Sequence, residues 1–445
     1  MLRPVLIVLA LIFLPLNVFA ATRSVPATNG ALASAIAGAA PGDVLVLEPG
    51  QHQGPVLLDK PITLDGQNKA TLNGNETGSV ITITGQDITV RGLEVIGSGS
   101  SHETIDSGIQ LERTAARILI EENRLLGNLY GVDVHGARNA TVRANIIVGR
   151  RDHRMNSRGN GIYIWNSPGT LIEENDIQYG RDGIFVNTSN RGTFRNNLMR
   201  DLRFAVHYMY AHDSEVSGNI SVGNHLGFAL MYSKRITVRD NMSLADRDQG
   251  LMLNYTNNAD LVGNLVRGTG EKCLFLYNAH RNLVSDNRFE GCGIGIHFTA
   301  GSESNAITGN AFVANQTQVK YVGTRDVEWS FDGQGNFWSD HPAFDLDGNG
   351  IADSRFRPND LMDHILWSQP AAGMLLGSPA VQLIRWSQAH FPATLPGGVI
   401  DSYPLMEPLD IPVSDKIATL EMAARTNPVW LRERTEDVSD PLASH

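Results

Sequence analysis

The chain has 445 residues, 42% of them hydrophobic, and a formal charge of −11 at pH 7. A surface this acidic repels nucleic-acid phosphates and anionic lipids, so neither is an expected partner. After the first 20 residues no apolar run is long enough for a membrane-spanning helix, so the mature chain is expected to be soluble.

The first segment, residues 1–20, has the features of a secretory signal peptide. Arg3 precedes an apolar run from Val5 to Leu16, and Val18-Phe19-Ala20 forms a small-residue cleavage signal. An uncleaved anchor helix is the alternative, but the run is shorter than the roughly 20 residues that cross a bilayer. We therefore predict export with cleavage of this segment.

Three further segments follow. Residues 21–42 are expected to form an N-terminal cap, because the alanine-rich stretch from Asn29 to Ala39 is typical of a short helix that covers the open end of a sheet. Residues 43–337 carry a repeat, and residues 338–445 form a C-terminal segment in which the repeat has stopped.

The repeat has a period of about 22 residues and two markers in phase. The first marker is an asparagine: Asn123, Asn145, Asn175, Asn197, Asn219, Asn241, Asn264, Asn287 and Asn310. The second is a Gly-Ile pair or its equivalent, which begins at Gly108, Gly131, Gly161, Gly183, Ala205, Gly227, Gly250, Lys272 and Gly295. A fixed period of this length indicates stacked structural repeats.

Each unit alternates apolar and polar residues between turn-forming residues, which predicts short strands with no room for a crossover helix. The fold class is therefore all-β, a right-handed parallel β-helix. Leucine-rich repeats are the competing solenoid, but their leucine spacing is missing. The marker asparagines are expected at turns, where asparagine tolerates left-handed backbone and bonds its stacked copies.

One coil is eight residues longer than its neighbours, and the surplus is the arginine-rich stretch from Arg150 to Arg158. An insertion in one coil becomes a loop, and loops on rigid scaffolds often bind partners. Its arginines either engage an acidic partner or only solvate the loop.

The two cysteines, Cys273 and Cys292, lie 19 residues apart, about three residues out of register with the repeat. We therefore expect one buried and one semi-exposed thiol rather than a disulfide, although an oxidising compartment would permit one.

In the C-terminal segment, oxygen-bearing residues alternate around a glycine turn in the pattern of the first half of an EF-hand loop. The candidate calcium ligands are Asp345, Asp347, Asn349, Ile351 through its carbonyl, and Asp353. Phe356 replaces the usual bidentate glutamate, and an ordinary Asn-Gly turn is the alternative. A helix is predicted from Pro379 to His390, followed by a polar tail from about Asn427.

Numbered from its marker glycine, each coil has apolar residues at +1 and +3, so +2 and +4 must point outward. The predicted +2 residues are Gln110, Asp133, Tyr163, Phe185, His207, Ala229, Met252, Leu274 and His297, and those at +4 are Glu112, His135, Trp165, Asn187, Met209, Met231, Asn254, Leu276 and Thr299. Position +5 adds a tyrosine ladder of Tyr210, Tyr232, Tyr255 and Tyr277. Such an apolar outer face indicates a partner or a ligand.

Within this face, His207, Met209, Met231 and Met252 occupy neighbouring positions that we expect to face water. Thioethers and imidazole are soft ligands that suit Cu(I), so these four residues are the candidate copper ligands. The alternatives are an adaptable methionine-rich protein interface and packing under the C-terminal segment. His135, His212 and His297 are possible accessory ligands. Zn²⁺ is disfavoured because no pair of Cys or His residues has the spacing of a structural zinc site.

Several stretches resemble the NosD family of periplasmic accessory proteins for nitrous oxide reductase maturation. They are Gly159-Asn-Gly-Ile-Tyr163, Gly180-Arg-Asp-Gly-Ile184, Val206-His-Tyr-Met209, Gly227-Phe-Ala-Leu-Met231 and Gly335-Asn-Phe-Trp-Ser-Asp340. The resemblance extends from about Pro41 to Met406. It implies a chain that works with an ABC-type membrane permease and its cytoplasmic ATPase, and that helps to supply copper to the reductase.

The resemblance makes the Arg150–Arg158 loop and the C-terminal helix candidate docking elements for a periplasmic copper donor, the reductase or the permease. The competing class is a polysaccharide-binding or carbohydrate-active β-helix, in which Tyr163, Trp165 and Phe185 would stack on sugars. Such chemistry needs carboxylates, and the predicted +2 and +4 positions from Tyr163 to Leu276 have none. We therefore predict that the chain is not an enzyme; a metal-free scaffold is the third interpretation.

Overall fold

A computed structural model describes residues 20–151, 154–299, 301–323, 325–359, 363, 365, 367, 369–375, 377–390 and 397–426. The predicted signal peptide, apart from Ala20, lies outside the described residues, as do the polar tail from Asn427 and residues 152 and 153 of the arginine-rich loop.

The described chain is a right-handed parallel β-helix, as the repeat predicts. One face is a sheet of 12 parallel strands, which we call the front sheet. Its strands are Val56–Leu58, Ile81–Ile83, Ser107–Leu111, Tyr130–His135, Ile162–Trp165, Asp182–Asn187, Phe204–Met209, Leu226–Met231, Gln249–Asn254, Lys272–Tyr277, Ile294–Thr299 and Thr317–Val322.

The other two faces belong to one 24-stranded sheet. The face that follows the front strand in each coil comprises Thr22–Val25, Val44–Leu47, Thr63–Asn73, Thr89–Ile96, Leu119–Glu121, Thr141–Arg143, Leu171–Glu173, Thr193–Arg195, His212–Ser217, Lys234–Arg239, Asp260–Val262, Leu283–Ser285 and Ala306–Thr308. The third face shares Thr63–Asn73 and Thr89–Ile96 and adds Gly50–Gln53, Arg124–Leu126, Ile146–Val148, Asp176–Gln178, Leu198–Arg200, Ile220–Val222, Met242–Leu244, Leu265–Arg267, Arg288–Glu290, Ala311–Val313 and Phe337–Trp338.

Each coil stacks on the next in residue-to-residue register. In the front sheet Phe185 pairs with His207, and His207 pairs with Ala229. The neighbours of His207 along its own strand, Val206 and Tyr208, are fully buried in the interior. Because side chains alternate along a strand, burial of one set turns the other set outward.

A ladder of buried asparagines runs the length of the coils. The Asn197 backbone N–H and its Nδ2 both donate to Oδ1 of Asn219, at 3.1 and 2.9 Å, and Asn219 repeats the pattern with Asn241. Each Nδ2 also donates to a strand carbonyl, which for Asn219 is that of Phe194 at 2.8 Å. The predicted stacking role of the marker asparagines is confirmed.

The predicted left-handed backbone lies one residue earlier than expected. Positive φ occurs at the residue before the marker, for example 56° at Asn196 and 61° at Gly218, and at none of the marker asparagines themselves. The marker needs its side chain inside the turn, so the preceding residue makes the bend.

We predict that Asn219→Ala lowers the free energy of unfolding by about 3 kcal/mol, because it leaves the Asn197 N–H and the Phe194 carbonyl buried without partners. Urea unfolding at an unchanged m value checks this. The control is the exposed Asn29→Ala, whose effect should be within about 0.5 kcal/mol. Equal losses in both variants would contradict the role of the ladder.

Among the described residues, three α-helices have defined bounds. Helix α1 (Ala31–Gly38) buries Leu32 and Ile36. In the sequence it connects the strands Thr22–Val25 and Val44–Leu47, which pair with each other. Helix α2 is Pro379–His390, as predicted, and α3 is Asp415–Thr426. Two short 3₁₀ helices cover Met155–Ser157 and Pro370–Leu375.

Helix α3 packs on the third face of the solenoid. Ile417 contacts a cluster with Val222, Leu244 and Leu265. Glu421 is buried and pairs with Arg267.

The C-terminal end of the solenoid closes on Asp401. Its Oδ2 accepts hydrogen bonds from the Asn336 N–H at 2.7 Å and from Trp338 Nε1 at 2.7 Å, so this carboxylate occupies the next place in the asparagine ladder. Trp338 stacks on Phe312 with 4.4 Å between ring centroids. The short strands Val327–Glu328 and Val399–Ile400 pair beside it.

The prediction of two free thiols is wrong, because Cys273 and Cys292 form a disulfide with Cα atoms 5.7 Å apart. Cys273 is the second residue of its front strand and occupies the place of Gly250 in the preceding coil. Cys292 is buried at a corner, where its N–H donates to Asn315 Oδ1. The register of the repeat does not show that Cys273 and Cys292, on adjacent coils, both point into the interior.

We expect no titratable thiol in the oxidised unfolded protein and two after reduction, measured with Ellman's reagent in denaturant. The double variant Cys273→Ala and Cys292→Ala should lose about 2–4 kcal/mol of unfolding free energy. Two reactive thiols without reductant would show that the bridge does not form.

Candidate functional site

The outward residues of the front sheet form rows that run along the solenoid axis. The +2 and +4 rows lie as predicted from Gln110 to Asn254. In the next coil Met252 pairs with Phe275 and Asn254 with Tyr277, so Leu274 and Leu276 are inward and fully buried. The predicted positions of these two leucines are wrong by one residue.

The positions of Leu274 and Leu276 are wrong because the sequence prediction places Lys272-Cys273 at the Gly-Ile marker. The pairing of Gln249 with Lys272 instead places Cys273 at the glycine position. The repeat here is 23 residues long, and a one-residue slip turns every side chain of a strand to its opposite side.

A third outward row, at −1, was missing from the sequence prediction. It precedes the marker glycine and contains Asp182, Phe204, Leu226, Gln249 and Lys272. One member of this row is visible in the sequence, since the charged residue Asp182 stands directly before the marker glycine Gly183. Apolar alternation could not reveal the row, because the chain bends at the glycine.

After Gln110 and Asp133, aromatic rings occupy three successive places of the +2 row. Tyr163 and Phe185 stack with centroids 5.2 Å apart and an interplanar angle of 0°. His207 then meets Phe185 edge-on at 4.9 Å and also contacts Phe204 edge-on at 4.9 Å. These contacts fix the plane of the His207 ring.

Asp182 orients His207 further. Its Oδ2 lies 3.1 Å from His207 Nδ1, and Arg203 forms two hydrogen bonds of 2.8 Å to the same carboxylate. Burial alone would raise the pKa of Asp182, but the His207 hydrogen bond and the Arg203 charge outweigh it and lower the pKa to about 2. An imidazole that donates Nδ1–H to a carboxylate presents Nε2 as a ligand.

The Asp182 carboxylate should make stability depend on acid pH. A folded pKa below the unfolded value of about 3.9 gives stabilisation above that pH, which is lost as the pH falls toward 2. We predict that Asp182→Asn loses about 2 kcal/mol at pH 6 and that its stability falls less than that of the wild type between pH 4 and pH 2. Chemical denaturation at each pH measures both curves, and parallel curves would contradict the assignment.

The candidate copper ligands come together, but they do not face water as predicted. Met231, Met252 and His207 are 3%, 9% and 7% exposed. Met231 and Met252 pack in one cluster with Phe204, Leu226, Ala229 and Phe275, and Met209 and Tyr277 border it. We call this set the methionine cluster. Its members cover each other, which register alone could not show.

The register gives the relative places of the four candidate ligands. Met209 pairs directly with Met231, while His207 and Met252 flank Ala229 on either side along the axis. Neighbouring strands lie about 4.8 Å apart and alternate residues about 6.7 Å apart. Ala229 has only a methyl group, so it leaves space between the His207 and Met252 side chains.

These residues fit Cu(I). Thioether sulfur and neutral imidazole are soft ligands, and a buried site of neutral groups suits a monovalent soft cation better than Ca²⁺ or Mg²⁺. In the described part of the chain no three or more His, Cys, Asp or Glu side chains form a metal-binding group, so sites of that hard or mixed type are not found there. The methionine cluster depends instead on sulfur.

Of the other predicted histidines, His297 contacts the methionine cluster through Phe275, whereas His135 and His212 lie elsewhere. His135 stacks on Trp165 with 4.5 Å between ring centroids, and its Nδ1 lies 3.9 Å from Oδ1 of Asp133. Burial raises the pKa of Asp133 to about 7. His212 lies in the neighbouring face. His297 stacks on Phe275 at 4.8 Å.

The tyrosine ladder has three members rather than four. Tyr210, Tyr232 and Tyr255 stack with centroids 5.0 and 5.2 Å apart and are 48%, 39% and 43% exposed. Tyr277 belongs to the +4 row, because it pairs with Asn254. The three ladder tyrosines have φ near 50°, the left-handed conformation that Asn166 and Asn278 adopt in other coils.

The predicted calcium loop is compact and exposed. Asp345 Oδ1 accepts from Gly348 N at 2.7 Å and its Oδ2 from Gly350 N at 2.8 Å, while Asp353 Oδ2 accepts from Leu346 N at 2.8 Å. These bonds use the same oxygens that would bind calcium. Calcium binding by Asp345, Asp347, Asn349, Ile351 and Asp353 stays a prediction.

The described part of the arginine-rich loop is held against the solenoid. Arg150 donates to the carbonyls of Gly127 at 3.0 Å and Gly99 at 2.8 Å, and the Arg151 guanidinium lies 4.0 Å from the Tyr179 ring centroid. Within the residues that the structure describes, no helix is long and apolar enough to cross a membrane.

The fold has solved relatives. The A-module of the mannuronan C-5 epimerase AlgE6 from Azotobacter vinelandii superposes with a TM-score of 0.50 over 66% of this chain and 90% of that chain. The sequence identity is 14%, so this likeness shows the fold alone.

Sequence comparisons are more specific. The model of the family described as "Periplasmic copper-binding protein (NosD)" matches residues 145–343. A Stutzerimonas stutzeri protein named "Probable ABC transporter binding protein NosD" is 37% identical over 375 residues, 81% of this chain and 86% of that protein. A Pseudomonas aeruginosa protein of the same name is 38% identical over 373 residues, 81% and 87% of the two chains. The chain belongs to the NosD family.

Proposed function

We propose that this chain is a periplasmic accessory protein that binds or passes Cu(I) on its way to nitrous oxide reductase and that works with an ABC-type transporter. The observation that carries the proposal is the methionine cluster, in which three thioether side chains pack together. His207, whose ring is oriented by Asp182, contacts Phe204 of this cluster. The copper-binding description of the family and the transporter-binding names of two relatives support it.

The chemistry follows from the ligand types. Thioethers hold Cu(I) without adding charge, so binding leaves a single positive charge in an apolar setting, from which a stronger thiolate or imidazole site removes the ion. Asp182 and Arg203 neutralise each other and keep His207 in one tautomer. The chain therefore supplies orientation and desolvation and performs no bond-making step.

The partners remain those predicted from the resemblance: a membrane permease with its cytoplasmic ATPase, a periplasmic copper donor and the reductase. The exposed Tyr210, Tyr232 and Tyr255 ladder flanks Met209 and Met231, and tyrosine is common at the centre of protein interfaces. A partner that covers this ladder would also cover the methionine cluster, which is the geometry that transfer of an ion needs.

Carbohydrate binding, the alternative interpretation, gains no support from the aromatic row. Sugars stack on free ring faces, but Tyr163 and Phe185 stack on each other and Trp165 stacks on His135. Asp182 is already bonded to Arg203 and His207, so it is not available as an acid or a base.

The decisive variant changes Met209, Met231 and Met252 together to Leu, which keeps the apolar volume and removes the thioethers. We expect the wild type to compete for Cu(I) with a chromogenic chelator under anaerobic conditions and the triple variant to bind at least about tenfold more weakly. The matched control changes Met242, Met374 and Met422 to Leu, which removes three methionines outside the cluster.

Equal affinity of the triple variant and the control would overturn the ligand assignment. No competition by the wild type would leave a metal-free scaffold that bridges transporter and reductase. In that case the Met→Leu changes should not alter copper loading of the reductase in cells.

A further inference from the structure

Beyond the methionine cluster the front sheet carries a second, cationic group of residues. Lys272 lies at −1 of one strand, and His297 and Lys320 pair with each other at +2 of the two strands that follow. The chain has only six lysines, so two on one small patch of an acidic protein are unusual.

The Lys272 ammonium is held away from solvent. Its side chain is 13% exposed, and Nζ lies 4.5 Å from the centroid of the Phe275 ring. Its nearest described carboxylate is that of the exposed Glu271, at 4.0 Å, the outer limit of an ion pair. A half-buried ammonium with so weak a counter-charge is costly unless a ligand supplies an anion.

His297 and Gln249 leave polar atoms without partners at the same place. His297 Nδ1 and Gln249 Oε1 are both buried and have no hydrogen-bond partner among the described residues. Gln249 is 7% exposed and pairs directly with Lys272. Rotation of its amide by 180° presents Nε2–H in place of Oε1, so the glutamine can also donate.

Two of these groups, Lys272 and His297, meet at one aromatic ring. His297 stacks on the Phe275 ring that Lys272 also contacts. Burial, with the charges of Lys272 and Lys320, lowers the pKa of His297 to about 3, so its imidazole is neutral and has one N–H to donate. An anion between Lys272 and His297 would meet an ammonium group and an imidazole, with Gln249 on the coil before and Lys320 on the coil after.

We propose that Gln249, Lys272, His297 and Lys320 form a binding site for a carboxylate group. A carboxylate accepts several hydrogen bonds at once and is the counter-charge that a pair of lysines requires. The Phe275 ring forms the apolar floor. The site contains none of the four candidate copper ligands His207, Met209, Met231 and Met252, although His297, a predicted accessory ligand, stacks on Phe275 of the methionine cluster.

A carboxylate has two possible sources, a small free acid and an acidic side chain of a polypeptide. Isothermal titration calorimetry of the full chain at low ionic strength, with citrate as the titrant, tests binding of a small free acid. The peptide acetyl-Asp-Glu-Asp-Glu-amide serves for the second, with its Asn and Gln counterpart as the uncharged control. Binding of citrate alone assigns a small acid, and binding of the acidic peptide but not its amide counterpart assigns a polypeptide.

The variant Lys272→Met with Lys320→Met keeps the apolar stems and should weaken carboxylate binding at least about tenfold. Gln249→Glu, which adds a like charge, should do the same. The control changes the exposed Lys69 and Lys234 to Met and removes the same total charge. Failure of both probes to bind, or equal weakening in the control, would overturn the site, whereas Cu(I) affinity should be unchanged throughout.

Discussion

The fold depends on one repeated interaction, the hydrogen bonds that a buried asparagine side chain makes to the coil above and the coil below. Each amide satisfies a backbone N–H and a strand carbonyl that the turn would otherwise leave unpaired. Because the same bond recurs in every coil from Asn123 to Asn336, the turns cannot slip past one another. The apolar interior then adds stability to a register that is already set.

That register is what creates a functional surface. Residues far apart in sequence, such as Asp182, His207 and Met252, lie side by side only because each strand pairs with its equivalent. The front sheet then divides along its axis into an aromatic part, the methionine cluster and a cationic part around Lys272. One rigid scaffold thus presents three chemical environments in a fixed order.

Much of this followed from the sequence because periodicity reports stacking directly. The marker asparagines gave the turns, and the Gly-Ile pairs gave the inward and outward rows up to Asn254. Prediction failed where the chain leaves strict periodicity, at the coil with Lys272-Cys273, where a one-residue shift misplaced Leu274, Leu276 and Tyr277. It also missed the disulfide and the −1 row, because corner residues follow neither strand nor helix alternation. The burial of Met231 depends on mutual packing that no linear pattern records.

The carboxylate of Asp401 has a further consequence at the end of the solenoid. A parallel β-helix that ended in an asparagine turn would offer its last coil as a template for another chain, as exposed sheet edges do in fibres. Asp401 accepts the final pair of ladder bonds and, having no N–H in its side chain, passes none onward. Trp338 and the short strand pair beside it cover the neighbouring edge. The last rung therefore ends the ladder with an acceptor only, which disfavours its continuation into the first coil of another molecule.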